Sequence, residues 1–164
     1  MKKVKIAFIG GGFIGQLCHI QNYFNNKRCE IIALAEGKKK LCNLVAKKYD
    51  IPNIFYDHAD LLESKLEIDA VVVVVNRKFT SKIVYDCLKK GINVLTEKPS
   101  SLNYINAKKL VKEAKKRNLI YKIFYNKIYD EGVILGSKIF NKLKIKNELG
   151  KLLYIRNHRY SGTG

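Results

Sequence analysis

Apolar residues along this chain fall in short unbroken runs separated by stretches in which they recur every three or four positions. Val4-Lys5-Ile6-Ala7-Phe8-Ile9, Glu30-Ile31-Ile32-Ala33-Leu34-Ala35 and Asp69 to Val75, with five consecutive valines, are almost wholly apolar. Short runs of this kind, rich in β-branched residues, suit strands buried on both faces, as in a parallel sheet. Asn53–Tyr56, Ile92–Leu95 and Ile120–Phe124 are weaker runs of the same type. Between them the period shifts to that of helices. Phe13 to Phe24 predicts a helix with Ile14, Leu17 and Cys18 inward and Ile20 at the margin of that face. Leu41, Leu44, Val45 and Tyr49 recur at helical spacing, and Phe79 to Lys90 predicts a helix stopped by Gly91. Asn103 precedes a helix expected to turn Ala107, Leu110, Val111 and Ala114 inward and its lysines outward. Five or six buried strands alternating with helices predict an α/β fold with a doubly wound parallel sheet.

The tail follows another rule. Asp130 to Leu143 predicts a further helix, and Lys151 to Tyr160 alternates polar with apolar, as an antiparallel strand with one solvated face would. A strand with no visible partner implies an incomplete domain or pairing with another chain. The expected organisation is one domain over residues 1–123 and the start of a second α/β domain over 124–164.

Composition narrows the classes. Of 164 residues 47% are hydrophobic, enough for a core and too many for a disordered basic tail. No apolar run approaches the roughly 20 residues of a membrane-spanning helix, so no membrane association is expected. Lys2 and Lys3 before an apolar segment imitate a signal peptide, but Gly10, Gly11, Gly12 and Gly15 break that segment into a strand and a turn. The four cysteines, at 18, 29, 42 and 87, form no C-x-x-C pair and sit in apolar stretches, which predicts reduced core thiols and a cytoplasmic protein. No two of His19, His58 and His158 have metal-ligand spacing, and no metal site is expected. The formal net charge of +18 invites a polyanion partner. Yet 27 of the 32 basic residues are lysine, and they are spread over every predicted helix after the first. With abundant Ile and Asn, that pattern reads as compositional bias, and no nucleic-acid partner is expected.

The candidate chemistry begins at Gly10-Gly11-Gly12-Phe13-Ile14-Gly15, a G-x-G-x-x-G motif between a predicted strand and a predicted helix. Gly10 permits the tight turn, Gly12 lets backbone approach a pyrophosphate, and Gly15 allows close helix–strand packing. The N–H groups at the helix start, around Phe13 and Ile14, attract phosphate. Glu36 lies 21 residues beyond Gly15, at the end of the second strand. A carboxylate there accepts ribose hydroxyls and repels a 2′-phosphate, which favours NAD; Lys38, Lys39 and Lys40, directly after it, could neutralise such a phosphate and leave NADP open.

Thr96-Glu97-Lys98-Pro99 follows the fifth predicted strand. Together with the glycine motif and Tyr125-Asn126-Lys127-Ile128-Tyr129-Asp130-Glu131-Gly132-Val133, it resembles the Gfo/Idh/MocA family of oxidoreductases, from Val4 to about Gly162. The resemblance implies a Rossmann domain joined to a C-terminal α/β domain. It implies NAD(P)-dependent hydride transfer between nicotinamide and a sugar, polyol or derivative. It makes Lys98 the catalytic acid/base, hydrogen-bonded to the substrate oxygen that becomes a carbonyl, with Glu97 orienting the turn or the cofactor. Asn76, after the fourth strand, joins the implied cofactor contacts. There the family's common Thr-Pro is replaced by Asn76-Arg77, and a frequent His by Ser81. The family's second catalytic motif, an Asp and a His on a helix of the substrate domain, has no counterpart in these residues. A homo-oligomer, a separate chain supplying the C-terminal domain, and a non-catalytic dinucleotide-binding module or truncated product all stay open.

Overall fold

The computed structural model describes residues 2–154 and Arg156. Six strands form one sheet in the order β3-β2-β1-β4-β5-β6, every neighbouring pair parallel. They are β1 (Val4–Ile9), β2 (Cys29–Ala35), β3 (Asn53–Phe55), β4 (Ala70–Val73), β5 (Asn93–Glu97) and β6 (Tyr121–Phe124). The expected doubly wound parallel sheet is what the chain forms. Strand order reverses between β1 and β4, and there the carboxyl ends of the strands diverge into a crevice.

The period-2 geometry of the strands sorts their side chains between two cores. Ala7, Ile9, Val71 and Val73 face one cluster with Leu61, Ile83, Val84, Cys87, Leu88, Leu110 and Ala114. Those partners come from α3 (His58–Glu63), α4 (Arg77–Lys89) and α5 (Tyr104–Lys116). Ile6, Phe8, Leu34 and Val72 face the other cluster with Ile20, Cys42, Val45 and Ala46, the last three from α2 (Lys39–Lys48). Fully buried Phe8 and Leu34 each contribute about 2–3 kcal/mol of transfer free energy. The helix after β4 ends as expected: Gly91 takes φ +80°, its N–H bonds the carbonyl of Leu88, and that of Ile92 bonds Cys87. Asn103 caps α5, its side-chain oxygen accepting from the N–H of Asn106 at 2.8 Å.

Three expectations about helices are corrected. The first helix is not α-helical throughout: Gly15–Ile20 is a π-helical segment that runs on into α1 (Gln21–Phe24). Ile14, Leu17 and Cys18 are exposed, while Gly15, His19 and Ile20 are buried. An i→i+5 turn is wider than an α-turn, so positions four and five apart share the inner face. Leu44 and Val111 also point outward, displaced by Cys42 and Ala46 in α2 and by Leu110 and Ala114 in α5. Helix α3 had no sequence forecast; Asp57 starts it by accepting the N–H of Ala59 at 2.7 Å.

The chain divides into two compact units, Met1–Phe124 and Tyr125–Gly164. In the second, a 3₁₀ turn (Asn126–Tyr129) precedes α6 (Glu131–Ile145), capped by Asp130 and presenting Val133, Leu135, Ile139 and Phe140 as exposed apolar residues. Residues 151–154 form no strand, and the rest of the strand forecast there, with His158, lies outside the described residues.

All four cysteines are free thiols. Burial pushes the Cys87 thiol up to about 12 and raises those of Cys29 and Cys42, whereas Cys18 is exposed. The thiolate is the reactive form, so a maleimide at pH 8 is expected to label Cys18 at least about a hundredfold faster than Cys87 in the native chain. Peptide mapping by mass spectrometry reads the two rates. Comparable rates would mean that the helix α4 face of the core opens readily.

Candidate functional site

The tight turn after β1 requires its first glycine. Gly10 has φ +100°, and its N–H donates to the carbonyl of Ala35 at 2.8 Å, tying the turn to the end of β2. A Cβ on Gly10 would lie far inside van der Waals contact distance of the Val74 carbonyl oxygen. One on Gly15 would lie 2.7 Å from the carbonyl oxygen of Gly10. At Gly12 a Cβ would meet nothing within 4 Å, so this glycine faces open space. Gln16 braces the turn from the helix, its amide donating to the carbonyl of Gly11 at 2.8 Å.

That open space is a cleft of about 790 Å³ at the β1/β4 switch point, lined by Gly10, Gly12, Glu36, Tyr56, Asn76 and Phe79 among others. Glu36 leaves the end of β2 with its carboxylate over the glycine turn. Oε2 accepts the N–H of Gly11 at 2.9 Å and Oε1 that of Lys38 at 3.0 Å. Asn76 follows β4, and its side-chain oxygen caps α4 by accepting the N–H of Lys78 at 3.0 Å. Phe13 and Ile14 stand outside the lining with exposed side chains, so only their backbone is placed to meet a phosphate. The residues fit a dinucleotide: a backbone turn open at Gly12, the start of a helix behind it, and an acidic side chain at the next strand end.

At the wall of the cleft, where Asp57, His58 and Lys82 also line it, α3 and α4 are laced by charge. His58 lies 3.1 Å from both Asp57 and Asp86, and Lys82 donates to Asp86 at 2.9 Å. Burial opposes the charged form of Asp86, but hydrogen bonds from Lys82 and His58 outweigh it and hold the carboxyl below its ordinary value. Sequence spacing had no means of pairing His58 with Asp86, which lie 28 residues apart.

Glu97 and Lys98 close β5, on the side of β4 away from β2, and neither lines the cleft. The Lys98–Pro99 peptide is cis and Lys98 is exposed. One oxygen of Glu97 meets Nε2 of His19 at 2.9 Å; the other accepts the N–H of Lys98 at 3.1 Å. In the sequence His19 looks isolated; in the fold it is buried against the site. Among the described residues no cluster of His, Cys, Asp and Glu could hold a metal ion, and no helix is long and apolar enough to cross a membrane.

Among known proteins, the chain is 27% identical over 149 residues to the myo-inositol 2-dehydrogenase of Thermotoga maritima, covering 91% of this chain and 42% of that one. It is 25% identical over 131 residues to the trans-1,2-dihydrobenzene-1,2-diol dehydrogenase of Xenopus tropicalis, covering 76% and 39%. Its fold matches the crystal structure of scyllo-inositol dehydrogenase from Lactobacillus casei with bound NAD(H) and scyllo-inositol, at a TM-score of 0.81 and 21% identity over 88% of this chain and 42% of that one. The chain thus spans about two fifths of the length of these relatives. Residues 4–125 match the Gfo/Idh/MocA oxidoreductase family in its NAD-binding Rossmann fold. Because that match takes in every strand of the sheet from β1 to β6, the chain belongs to the Gfo/Idh/MocA family of oxidoreductases and carries its NAD-binding Rossmann fold.

Proposed function

We propose that this chain is the nucleotide-binding part of an oxidoreductase that moves a hydride between NAD and a carbinol carbon of a sugar, polyol or derivative. The observation that carries this reading is the single cleft in which the open glycine turn and the Glu36 carboxylate face the same space. Gly10, Gly12 and Gly15, with the backbone of Phe13 and Ile14, would hold the pyrophosphate. Glu36 would exchange its backbone donors for ribose hydroxyls, and Asn76 would border the nicotinamide side. When bound, the nicotinamide accepts the hydride of the carbinol carbon. Lys98 accepts the hydroxyl proton of the alcohol on its neutral amine as the hydride leaves and the carbonyl forms, and returns it in the reverse direction. Glu97 anchors the backbone beneath that lysine. The segment 124–164 would begin the domain that presents the substrate, completed by further chain, a second copy or a separate partner. The free thiols support a reducing, cytoplasmic setting.

Titration with NADH, followed by nicotinamide fluorescence, tests the reading. Binding below millimolar is expected, with NADPH weaker because its 2′-phosphate meets Glu36. Glu36→Gln should weaken NADH about tenfold and narrow its advantage over NADPH. No binding at millimolar NADH rejects the proposal. A binding module without turnover would share this cleft, and separates from the enzyme by showing no NADH formation with any of a panel of polyols even when completed by the substrate domain.

A further inference from the structure

His19 is 3% exposed, and its ring is held on two sides. Nε2 lies 2.9 Å from Oε1 of Glu97, and the ring packs edge-on against Phe124 with centroids 5.1 Å apart. Phe124 is the residue of β6 that pairs with Glu97 of β5, so the imidazole sits over a single rung of the sheet. An ionised carboxylate only accepts, so Nε2 is the donor. The second oxygen of Glu97 accepts the N–H of Lys98 at 3.1 Å. At its other end, His19 belongs to the π-helical segment that begins at Gly15, packed directly against the Gly10 carbonyl. A continuous path therefore runs from the glycine turn, through one stretch of helix and two hydrogen bonds, to the backbone of Lys98. It crosses β4, which lies between β1 and β5 in the sheet.

We propose that His19 is a positioning residue: by fixing Glu97 it sets the Lys98 backbone in register with the glycine turn, so that the lysine stands in one place relative to a dinucleotide held there. The proposal rests on the role given to Lys98 above. The physical need is plain, because reacting groups misplaced by about 1 Å can lose about a hundredfold in rate.

Amide hydrogen exchange on the whole chain tests the link. In His19→Leu the Lys98 amide is expected to exchange about tenfold faster, while the Val94 and Thr96 amides within β5 stay unchanged. A merely structural role would loosen the strand along with the turn. His19→Gln can present an amide N–H near the position of Nε2, and should restore Lys98 exchange to within about threefold of wild type. His19→Asn places its amide near the position of Nδ1, short of Glu97, so it should speed Lys98 exchange as His19→Leu does, and it serves as the test if His19→Leu does not fold. NADH affinity should stay within about threefold in His19→Leu. Unchanged Lys98 exchange in His19→Leu or His19→Asn, or no restoration by His19→Gln, overturns the proposal while leaving NADH binding intact. Absence of NADH binding by the wild type removes the functional reading itself, and the role of His19 with it.

Discussion

Gly10→Ala is expected to cost about 3 kcal/mol or more of stability and to abolish NADH binding, whereas Gly12→Ala, two residues on, should cost less than about 1 kcal/mol and still lose the cofactor. The contrast comes from what each added methyl meets. At Gly10, alanine must adopt φ +100°, and its Cβ would overlap the Val74 carbonyl oxygen and lie 2.7 Å from its carbon. Left-handed strain and overpacking against rigid backbone each contribute about 1–3 kcal/mol. Chemical denaturation of the two variants beside wild type reads the difference, and a fall in melting temperature of roughly 10 °C or more should accompany it. At Gly12 the same methyl meets nothing within 4 Å. It projects into the space a pyrophosphate would take, so NADH affinity should fall roughly a hundredfold, about 2.7 kcal/mol. Gly12→Ala that binds NADH like wild type would displace the pyrophosphate from this turn.

Lys98→Ala should separate binding from chemistry. Lys98 is exposed and lies outside the cleft, so NADH affinity should stay within about threefold. Turnover of a polyol, followed as NADH absorbance in the protein completed by its substrate domain, should fall by about 10²–10⁴, the usual worth of a positioned acid/base. Lys98→Arg should not rescue it, because a guanidinium does not release its proton in this range. Wild-type turnover in Lys98→Ala would move the proton transfer to another group.

Much of this site is legible in the amino-acid sequence. The glycine motif needs only its neighbours in sequence, since strand, turn and helix start are contiguous there. Glu36 was legible for a related reason: the length of one helical crossover sets the distance from the glycine turn to the end of the next strand. The turn at Lys98 was legible by resemblance alone, for nothing in its spacing separates it from the other lysines. What failed was tied to a local departure or to distance. The inner face forecast for the first helix assumed 3.6 residues per turn, and the π-helical segment Gly15–Ile20 turned His19 inward beside Ile20, in place of Ile14, Leu17 and Cys18. Phe13 and Ile14 were right as parts of a turn, but their side chains do not reach the cleft. The network of His58, Lys82 and Asp86 depends on α3 packing beside α4, which no periodicity announces.

The amino-acid sequence by itself determined the alternation of strand and helix, the parallel sheet, and the place where backbone opens toward a phosphate. Each of these follows from short-range rules, the burial of both strand faces and the absence of a Cβ. Only the tertiary structure decided which polar groups meet. His19 and Glu97 are 78 residues apart in the chain and 2.9 Å apart in the fold. Their meeting depends on the order β1-β4-β5 at the carboxyl edge of the sheet, and on the wider π turn that points a histidine inward beneath it.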